Sequence, residues 1–255
     1  MTNMTISDIK NKLDDIPVRY LDDELVKLKA DERLGVKKLI DKYRKKIESY
    51  EKELDRISNM RQYENKYSDK NYICGIDEVG RGPLSGPVVS AAVILPKDAN
   101  ILYVNDSKKL TEAKREELYD IIMEKAIAVS IGVINVDVID EINILNATYE
   151  SMISAINKLE VKPDVILVDA VTIPKINIPQ EPIIKGDTKS ISIAAASIIA
   201  KVYRDRMMKE YDKIFPEYKF AKNKGYGTKE HIEALKKYGS CAIHRKSFIR
   251  SVLST

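Results

Sequence analysis

The chain has 255 residues, of which 44% are hydrophobic and 32% charged, with a formal net charge of +4. This length allows one medium α/β domain with a smaller unit beside it. The longest nearly apolar run, Ile191 to Ala200, is shorter than the roughly 18 apolar residues of a transmembrane helix, and residues 1–12 lack the pattern of a secretory signal, so we expect a cytoplasmic protein without a membrane partner.

Residues 1–70 are predicted to form an N-terminal helical extension. They are rich in Lys, Glu, Asp and Leu, and apolar residues such as Leu39, Tyr43 and Ile47 recur at helical spacing. Two roles remain open. The segment is either an accessory arm that touches substrate or partner or, as we favour, a helical hairpin that packs on the main domain or self-associates.

The composition changes at Asn71, where the main domain, residues 71–255, is predicted to begin. Tyr72–Ile76 and Val88–Leu95 are short β-branched runs separated by a turn rich in Gly and Pro, the pattern of two paired strands. Two further strands are predicted near residues 127–136 and 165–168.

Helices are predicted between and after these strands. Thr111 is placed to cap a helix whose opening turns are acidic. The other predicted helices span residues 143–159, 190–211 and 228–238. Gly239 suits the end of the last one. Paired strands followed by alternating strands and helices predict an α/β fold with a mixed central sheet covered by helices.

Asp77 and Glu78 directly follow the apolar run Tyr72–Ile76. Burying an unpaired charge costs several kcal/mol, and two neighbouring carboxylates raise each other's pKa unless a cation is present. Mg²⁺ takes oxygen ligands of this kind. Because adjacent strand residues point to opposite faces, both acids face one ion only if the strand ends between them, and Gly80 and Gly82 would allow that ending. A solvated loop is the commoner fate of an Asp-Glu pair.

Two further acids have a similar placement. Asp169 closes the apolar run 165–168, and ligands gather outside the C-terminal ends of strands in open α/β sheets. Asp187 lies in a loop before the helix expected at residue 190, where an ordinary turn or cap acid is the alternative interpretation. Four carboxylates would supply enough oxygen ligands for two metal ions about 3.5–4 Å apart, the arrangement that activates water in phosphodiester hydrolysis.

The turn from Gly80 to Gly86 offers backbone amides and one cation, Arg81, beside these acids. Glycines let the backbone approach a ligand closely, and such amides are able to read a 2′-hydroxyl and a phosphate. The spacing after Gly82, and the strand that follows, do not match a dinucleotide-binding loop, and there is no Walker-type phosphate loop.

Charge and cysteine usage add weaker signals. Residues 71–220 carry 18 basic and 22 acidic side chains and residues 221–255 carry 8 and 2, which suits a cation site beside a surface that meets a polyanion, although such asymmetry is common on solvated surfaces. The two cysteines, Cys74 and Cys241, are expected to be reduced. Cys241 and His244 have metal-ligand spacing, but with His231 as the only other histidine a closed zinc site would lack ligands.

Several motifs, in order along the chain, resemble bacterial ribonuclease HII. They are GIDEVGRGPLSGPVVSAAVIL, NDSKKL, INILNAT, ILVDA, KGD, AAASIIAKVYRD and KGYGT. The resemblance runs from about Tyr72 to Phe248 without a missing block, and the first 70 residues or so lie outside it. It implies a ribonuclease H-like fold, with the mixed sheet and flanking helices expected above.

The resemblance also implies an activity. An endoribonuclease of this family hydrolyses the RNA strand of RNA–DNA hybrids and cuts 5′ of ribonucleotides embedded in duplex DNA, leaving 3′-hydroxyl and 5′-phosphate ends by a two-metal mechanism. The expected cofactor is Mn²⁺ or Mg²⁺, and the expected partners are RNA–DNA hybrid and ribonucleotide-containing duplex DNA. We expect the chain to act as a monomer.

The family's functional residues map onto this sequence by position. The catalytic and metal-binding carboxylates match Asp77, Glu78, Asp169 and Asp187. The substrate-binding residues match Gly80, Arg81, Gly82, Lys108 and Tyr226. The Gly-Arg-Gly turn would recognise the ribonucleotide, Tyr226 would stack on the neighbouring deoxyribose, and Lys108 would neutralise a backbone phosphate. The tyrosine and the lysine are otherwise an ordinary loop residue and a surface charge.

Residues outside this set have simpler interpretations. The basic C-terminal residues expected to extend the phosphate contact are Lys222, Lys224, Arg245 and Lys246. Asp205 is expected to form ion pairs rather than to bind a metal, and His231 and His244 are assigned to packing or surface hydrogen bonding.

Two alternatives remain. The sister enzyme ribonuclease HIII shares the fold, but the intact Gly-Arg-Gly turn and Tyr226 favour the enzyme that cuts at junctions. A nucleic-acid-binding protein without catalysis would use the basic tail and the helical arm, and it leaves the carboxylates unexplained.

Overall fold

The chain forms two compact units that divide between Ser58 and Asn59. The structure, a computed structural model, describes residues 4–253. Among these residues, the helices are all too short or too polar to cross a membrane.

The first unit consists of helices with a core of their own. They are α1 (Ile6–Asp15), α2 (Leu21–Leu28) and α3 (Leu34–Asn59). Their buried side chains are Ile9, Leu13, Leu21, Leu25, Leu28, Val36, Ile40 and Tyr43. The spacing of these residues by three, four or seven within each helix gives each helix one apolar face. The predicted helical extension is confirmed, but three helices replace the expected hairpin.

Polar contacts fix the ends of this small core. The Thr5 hydroxyl accepts a hydrogen bond from the Asp8 backbone N–H, and Asp8 accepts one from the Thr5 N–H, a reciprocal cap of α1. The Tyr43 hydroxyl donates to the Asp14 carboxylate over 2.6 Å. Burial and this hydrogen bond raise the pKa of Tyr43 to about 12.

The second unit is built on a mixed five-stranded sheet. Its strands are β1 (Ile73–Val79), β2 (Val88–Ile94), β3 (Ala128–Ile134), β4 (Val165–Asp169) and β5 (Gln180–Ile183). The spatial order is β3-β2-β1-β4-β5. β1 and β3 pair antiparallel to β2, whereas β4 pairs parallel to β1 and to β5. The predicted mixed sheet is confirmed. β5 was not predicted, because this short, polar edge strand contains Pro182.

The remaining helices lie in this unit. They are α4 (Gln62–Lys66), α5 (Glu112–Lys125), α6 (Val136–Asn157), α7 (Ile191–Ile214), α8 (Phe220–Asn223), α9 (Lys229–Tyr238) and α10 (Lys246–Leu253). The side chains of Thr111, Ser190 and Thr228 cap α5, α7 and α9. The cap at Thr111 was predicted, whereas Ser190 and Thr228 were predicted only as the first residues of their helices. The predicted start of a helix at Asn143 is confirmed, since the Asn143 side chain accepts hydrogen bonds from the N–H groups of Leu145 and Asn146. The part of α6 that begins at Val136 was not predicted, and Asn143, with φ of +66°, separates the two parts.

The two long helices lie on opposite faces of the sheet. Ile73 of β1 packs with Ile193 of α7, whereas Cys74 and Ile76 pack with Met152 of α6. Side chains alternate between faces along a strand, so this pattern assigns odd-numbered residues of β1 to the α7 face and even-numbered residues to the α6 face.

Candidate active site

Asp77 and Glu78 lie within β1 rather than after it. Asp77 stands opposite Ala91 and Glu78 opposite Ser90, and the strand continues to Val79. The prediction that the strand ends between the two acids was therefore wrong, because pairing with β2 holds both in extended backbone. Both side chains nevertheless line one cleft, since β1 reaches that cleft at its C-terminal end.

The parallel pairing of β1 and β4 brings Asp169 to the same end of the sheet. Ile76 is paired with Val168, so Asp77 and Asp169 are the next residues on adjacent strands that run in the same direction. One Asp169 carboxylate oxygen accepts a hydrogen bond of 2.7 Å from the backbone N–H of Gly186. This contact positions the turn of residues 186–188, which carries the buried side chain of Asp187.

The charges of these acids act on one another. Burial, with the nearby charges of Glu78 and Asp169, raises the pKa of Asp77 well above its usual value. Burial also raises the pKa of Glu78, although Arg81 opposes the shift. Burial and the charges of Asp106 and Asp169 raise the pKa of Asp187 to about 6. The pKa values thus indicate one group of mutually repelling carboxylates.

The donor set fits a hard divalent cation. All four candidate ligands are carboxylates, which supply the oxygen donors that Mg²⁺ and Mn²⁺ take. A cation would relieve the repulsion that, together with burial, raises the pKa values of Asp77, Glu78 and Asp187. Among residues 4–253, no three acidic, histidine or cysteine side chains already stand in a geometry that would hold an ion. Glu78 instead contacts Arg81 over 3.3 Å.

Basic and hydroxyl side chains form the rest of the cleft, which has a volume of about 330 Å³. With Asp77, Glu78 and Val79, its lining residues are Ser107, Lys108, Arg115, Ser197, Lys201 and Tyr226. Burial lowers the pKa of Lys108, but the charges of Asp106, Asp77 and Asp187 outweigh it and raise the pKa overall. The cleft therefore combines clustered acids with cations able to meet a phosphate.

Arg115, Ser197 and Lys201 were not predicted as part of the site. Lys201 donates to Asp205 over 2.8 Å, and Arg115 lies 3.9 Å from the same carboxylate. The predicted ion-pair role of Asp205 is thereby confirmed. The spacing of Lys201 and Asp205 by four residues on a helix was a local signal for this pair, whereas no local pattern placed Arg115 in the cleft.

The Gly-rich turn and Tyr226 lie side by side at the edge of the cleft. Arg81 and Gly82 are exposed, and a Cβ atom added to Gly82 would lie 3.9 Å from the Cε1 atom of Tyr226. Tyr226 itself is 42% exposed. The backbone N–H of Leu84 donates to the Gly225 carbonyl over 2.8 Å, which joins the turn to the loop that carries Tyr226.

Of the four C-terminal cations expected to contact phosphate, only Arg245 is too buried to do so, whereas the role of Lys222, Lys224 and Lys246 stays a prediction. Arg245, expected to contact phosphate, is completely buried, and its guanidinium donates hydrogen bonds to backbone carbonyls. Lys222 is exposed but paired with Glu230, and Lys224 donates to the Ala221 carbonyl. Lys246 begins α10, where its backbone N–H donates to Asp140.

The histidines take the packing role assigned to them. His231 and His244 are buried, and their Nε2 atoms lie 3.0 Å apart. The Sγ atom of Cys241 lies 3.1 Å from Nδ1 of His244. Cys74 and Cys241 are both free thiols, as expected.

The mixed five-stranded sheet, flanked by helices on both faces and carrying acids at one end, defines a ribonuclease H-like α/β protein. Two family models match the chain: "Ribonuclease HII" over residues 74–251 and "Ribonuclease HII N-terminal domain" over residues 5–68. The chain belongs to the ribonuclease HII family, whose members are ribonuclease H hydrolases.

Curated relatives match almost the whole chain. The ribonuclease HII of Lachnoclostridium phytofermentans is 59% identical over 252 residues, 99% of each chain. That of Clostridioides difficile is 52% identical over 255 residues, 99% of this chain and 100% of the relative.

Solved structures share the fold. The ribonuclease H2 from Pyrococcus horikoshii is similar with a TM-score of 0.61 at 29% identity, over 72% of this chain and 97% of that one. A ribonuclease HIII structure from Bst, 18% identical, has a TM-score of 0.52 and covers 72% of this chain and 65% of its own, a likeness of fold alone.

Proposed function

We propose that this ribonuclease H cuts the RNA strand of RNA–DNA hybrids and also cuts 5′ of single ribonucleotides embedded in duplex DNA. The products carry 3′-hydroxyl and 5′-phosphate ends. Asp77, Glu78, Asp169 and Asp187 hold Mn²⁺ or Mg²⁺, and the chain acts as a monomer.

One observation carries this proposal. The parallel register of β1 and β4, together with the hydrogen bond from Gly186 to Asp169, gathers acids from three segments at one end of the sheet. The cleft at that end also contains Lys108 and Tyr226. Clustered carboxylates beside cations and an exposed aromatic ring suit phosphodiester hydrolysis on a nucleic-acid duplex.

Each group then has a role in the reaction. Asp77, Glu78, Asp169 and Asp187 would hold the divalent cations, which when bound would polarise the attacking water and stabilise the departing 3′ oxygen. Lys108 neutralises a phosphate of the bound strand. The N–H groups of Arg81 and Gly82 contact the 2′-hydroxyl, which confines cleavage to ribonucleotides. Tyr226 stacks on the deoxyribose beside the junction.

A single cleavage assay tests the proposal. The substrates are a DNA duplex with one ribonucleotide, a uniform RNA–DNA hybrid and an all-DNA duplex, each incubated with Mg²⁺, Mn²⁺ or a chelator. We expect metal-dependent cleavage of the first two at the stated bond and none of the third. Cleavage of the hybrid alone would indicate activity of the ribonuclease HIII kind, and cleavage that survives the chelator would contradict the assigned role of the acids.

A further inference from the structure

Two arginines, Arg204 and Arg245, are completely buried next to the Gly-rich turn. Neither guanidinium forms an ion pair within the described residues, and both donate their hydrogen bonds to backbone carbonyls. Burial lowers the pKa of Arg204, and burial with the charge of Arg204 lowers the pKa of Arg245 to about 9. A guanidinium is effectively always protonated in proteins, so both side chains are cationic. A buried charge is expensive to maintain, and none of the roles described above uses these two.

Arg245 binds backbone carbonyls at both ends of the turn. Its Nε donates to the Gly86 carbonyl over 3.0 Å, its Nη1 to the Arg81 carbonyl over 2.9 Å, and its Nη2 to the carbonyls of Gly80 and Gly86. The guanidinium plane also lies over the ring of Phe248, 5.0 Å from its centroid. One side chain thus fixes both ends of the turn.

Arg204 joins the turn to the loop of Tyr226. Its Nε donates to the Pro87 carbonyl over 2.9 Å and its Nη2 to the Ser85 carbonyl over 3.0 Å, while its Nη1 donates to the Lys224 carbonyl over 2.9 Å. Gly80, with φ of +92°, leaves room for this side chain, since a Cβ there would overlap both Arg204 and the Pro87 carbonyl.

This arrangement orients the amides of the turn. In a trans peptide the C=O and the following N–H point in opposite directions, so binding the carbonyls of Gly80 and Arg81 inward turns the N–H groups of Arg81 and Gly82 away from Arg245. Within the described residues neither N–H donates a hydrogen bond. A cation bound to a carbonyl also polarises its peptide unit, which makes the outward N–H a stronger donor.

We propose that Arg204 and Arg245 are positioning residues for ribonucleotide selectivity. They fix the N–H groups of Arg81 and Gly82 at a set distance from Tyr226, so that a 2′-hydroxyl and the adjacent deoxyribose are recognised together. This inference rests on the proposed function. In a duplex with one ribonucleotide, the turn and Tyr226 are able to make their two contacts together at only one position along the strand. A uniform hybrid has a 2′-hydroxyl at every step of its RNA strand and so allows binding at many positions.

The test compares Arg204→Lys and Arg245→Lys with the parent chain. Lysine keeps the positive charge but loses the planar set of donors that reaches several carbonyls at once. The matched control is Arg206→Lys, on the same helix as Arg204 but exposed and paired with Glu116. The first measurement is amide hydrogen exchange without substrate. We expect faster exchange confined to residues 80–87 and 224–226 in both variants, with no change in the control.

The second measurement is kcat/KM on the single-ribonucleotide duplex and on the uniform hybrid. We expect the ratio of junction to hybrid cleavage to fall about tenfold in both variants, since small displacements of positioning groups cost factors of this size. Should a lysine variant not fold, Gly225→Ala gives the same comparison. The Cβ of the new alanine would lie 2.5 Å from the Ser85 carbonyl oxygen. This overlap would push the Tyr226 loop away from the turn.

The outcomes separate the two proposals. An unchanged exchange pattern, or an equal loss on both substrates, would overturn the positioning role, because a merely structural arginine lowers all activity together. If the parent chain cuts the hybrid but not the single ribonucleotide, the junction activity proposed above fails. The exchange data then still show whether the two arginines hold the turn.

Discussion

Asp77 is the residue on which the proposed chemistry depends most directly. It is buried, belongs to β1 and lies beside Asp169 on the neighbouring strand. Replacing Asp77 by Asn keeps the size of the side chain and removes its charge. Because a bound metal contributes several kcal/mol to the transition state, and each 1.4 kcal/mol is about tenfold in rate, we expect Asp77→Asn to lose at least about a hundredfold in cleavage rate.

Hybrid binding by this variant should survive, since the cations of the cleft are untouched. The measurements are single-turnover cleavage and hybrid affinity in a chelator. The control is Asp98→Asn, an exposed acid in a loop after β2. Near-normal cleavage by Asp77→Asn would remove this carboxylate from the reaction.

The buried histidine pair makes stability depend on pH. The Cys241 N–H donates to Nδ1 of His244, so Nε2 of His244 carries the proton and donates to Nε2 of His231, whose Nδ1 donates to the Tyr226 carbonyl. This network accommodates only neutral rings. Burial and the nearness of His231 lower the pKa of His244 to about 4.

The direction of the pH effect follows from this depressed pKa. An unfolded chain protonates His244 near pH 6.5, whereas the folded protein resists until about pH 4. The stabilisation is therefore complete above pH 6.5 and is lost as the pH falls to 4, by about 3 kcal/mol in all. Urea unfolding from pH 4 to 8 measures it. His244→Asn should show a flatter slope over this range, and identical slopes would contradict the assignment.

At the scale of elements, α4 secures the start of α7. The Glu64 carboxylate accepts a hydrogen bond from the Ser192 N–H over 3.0 Å and one from the Ser190 hydroxyl, which itself caps α7. A negative charge at this end of a helix is favourable because the free N–H groups are partly positive. α7 carries Ser197, Lys201 and Arg204, so this contact supports the cleft and the turn from a distance.

Glu64→Gln preserves the shape of the cap and removes its charge. We expect a loss of about 1 kcal/mol, and hence a thermal midpoint about 2–4 °C lower for the unit of residues 59–253, with cleavage at 25 °C unchanged. Calorimetry measures the midpoint, and Glu51→Gln, an exposed acid on α3, is the control. An unshifted midpoint would show that the charge of Glu64 contributes nothing.

The elements were predictable wherever the signal was local. A cap uses a residue and the third one after it, so Thr111, Ser190 and Thr228 marked helix starts correctly. Asn143 also marked a helix start correctly, because its side chain caps the second half of α6. The first half, which begins at Val136, was not predicted. The extent of β1 was not predictable either, since only its pairing with β2 keeps Asp77 and Glu78 extended.

The candidate site likewise has features that the sequence predicted and features that it did not. Strand ends predicted which acids share one end of the sheet, because parallel strands bring their C-terminal ends together. The burial of Arg204 and Arg245 had no local signal. An arginine is normally exposed, and these two become satisfied only when carbonyls from distant segments surround them.

At the scale of the whole molecule, the fold brings a basic segment next to the acidic residues of the cleft. The basic segment 221–255 contains Tyr226 and the exposed residues Lys229, Lys236 and Lys237, and it adjoins the cleft that Asp77 and Glu78 line. A duplex drawn in by these cations would meet the carboxylates at the same place. The carboxylates alone would repel a phosphate, so the proposed reaction needs metal cations between the carboxylates and the phosphate.

Metal binding should therefore stabilise the folded protein as a whole. An ion that binds only the native state at ten times its Kd adds about 1.4 kcal/mol, which corresponds to a midpoint about 3–6 °C higher for a unit of this size. We expect Mn²⁺ to raise the calorimetric midpoint of residues 59–253 and a chelator to reverse the shift. Asp77→Asn should lose most of the rise, because one ligand is gone, while sodium chloride at equal ionic strength should not reproduce it. An equal rise in the parent chain and in Asp77→Asn would mean that the ion binds elsewhere.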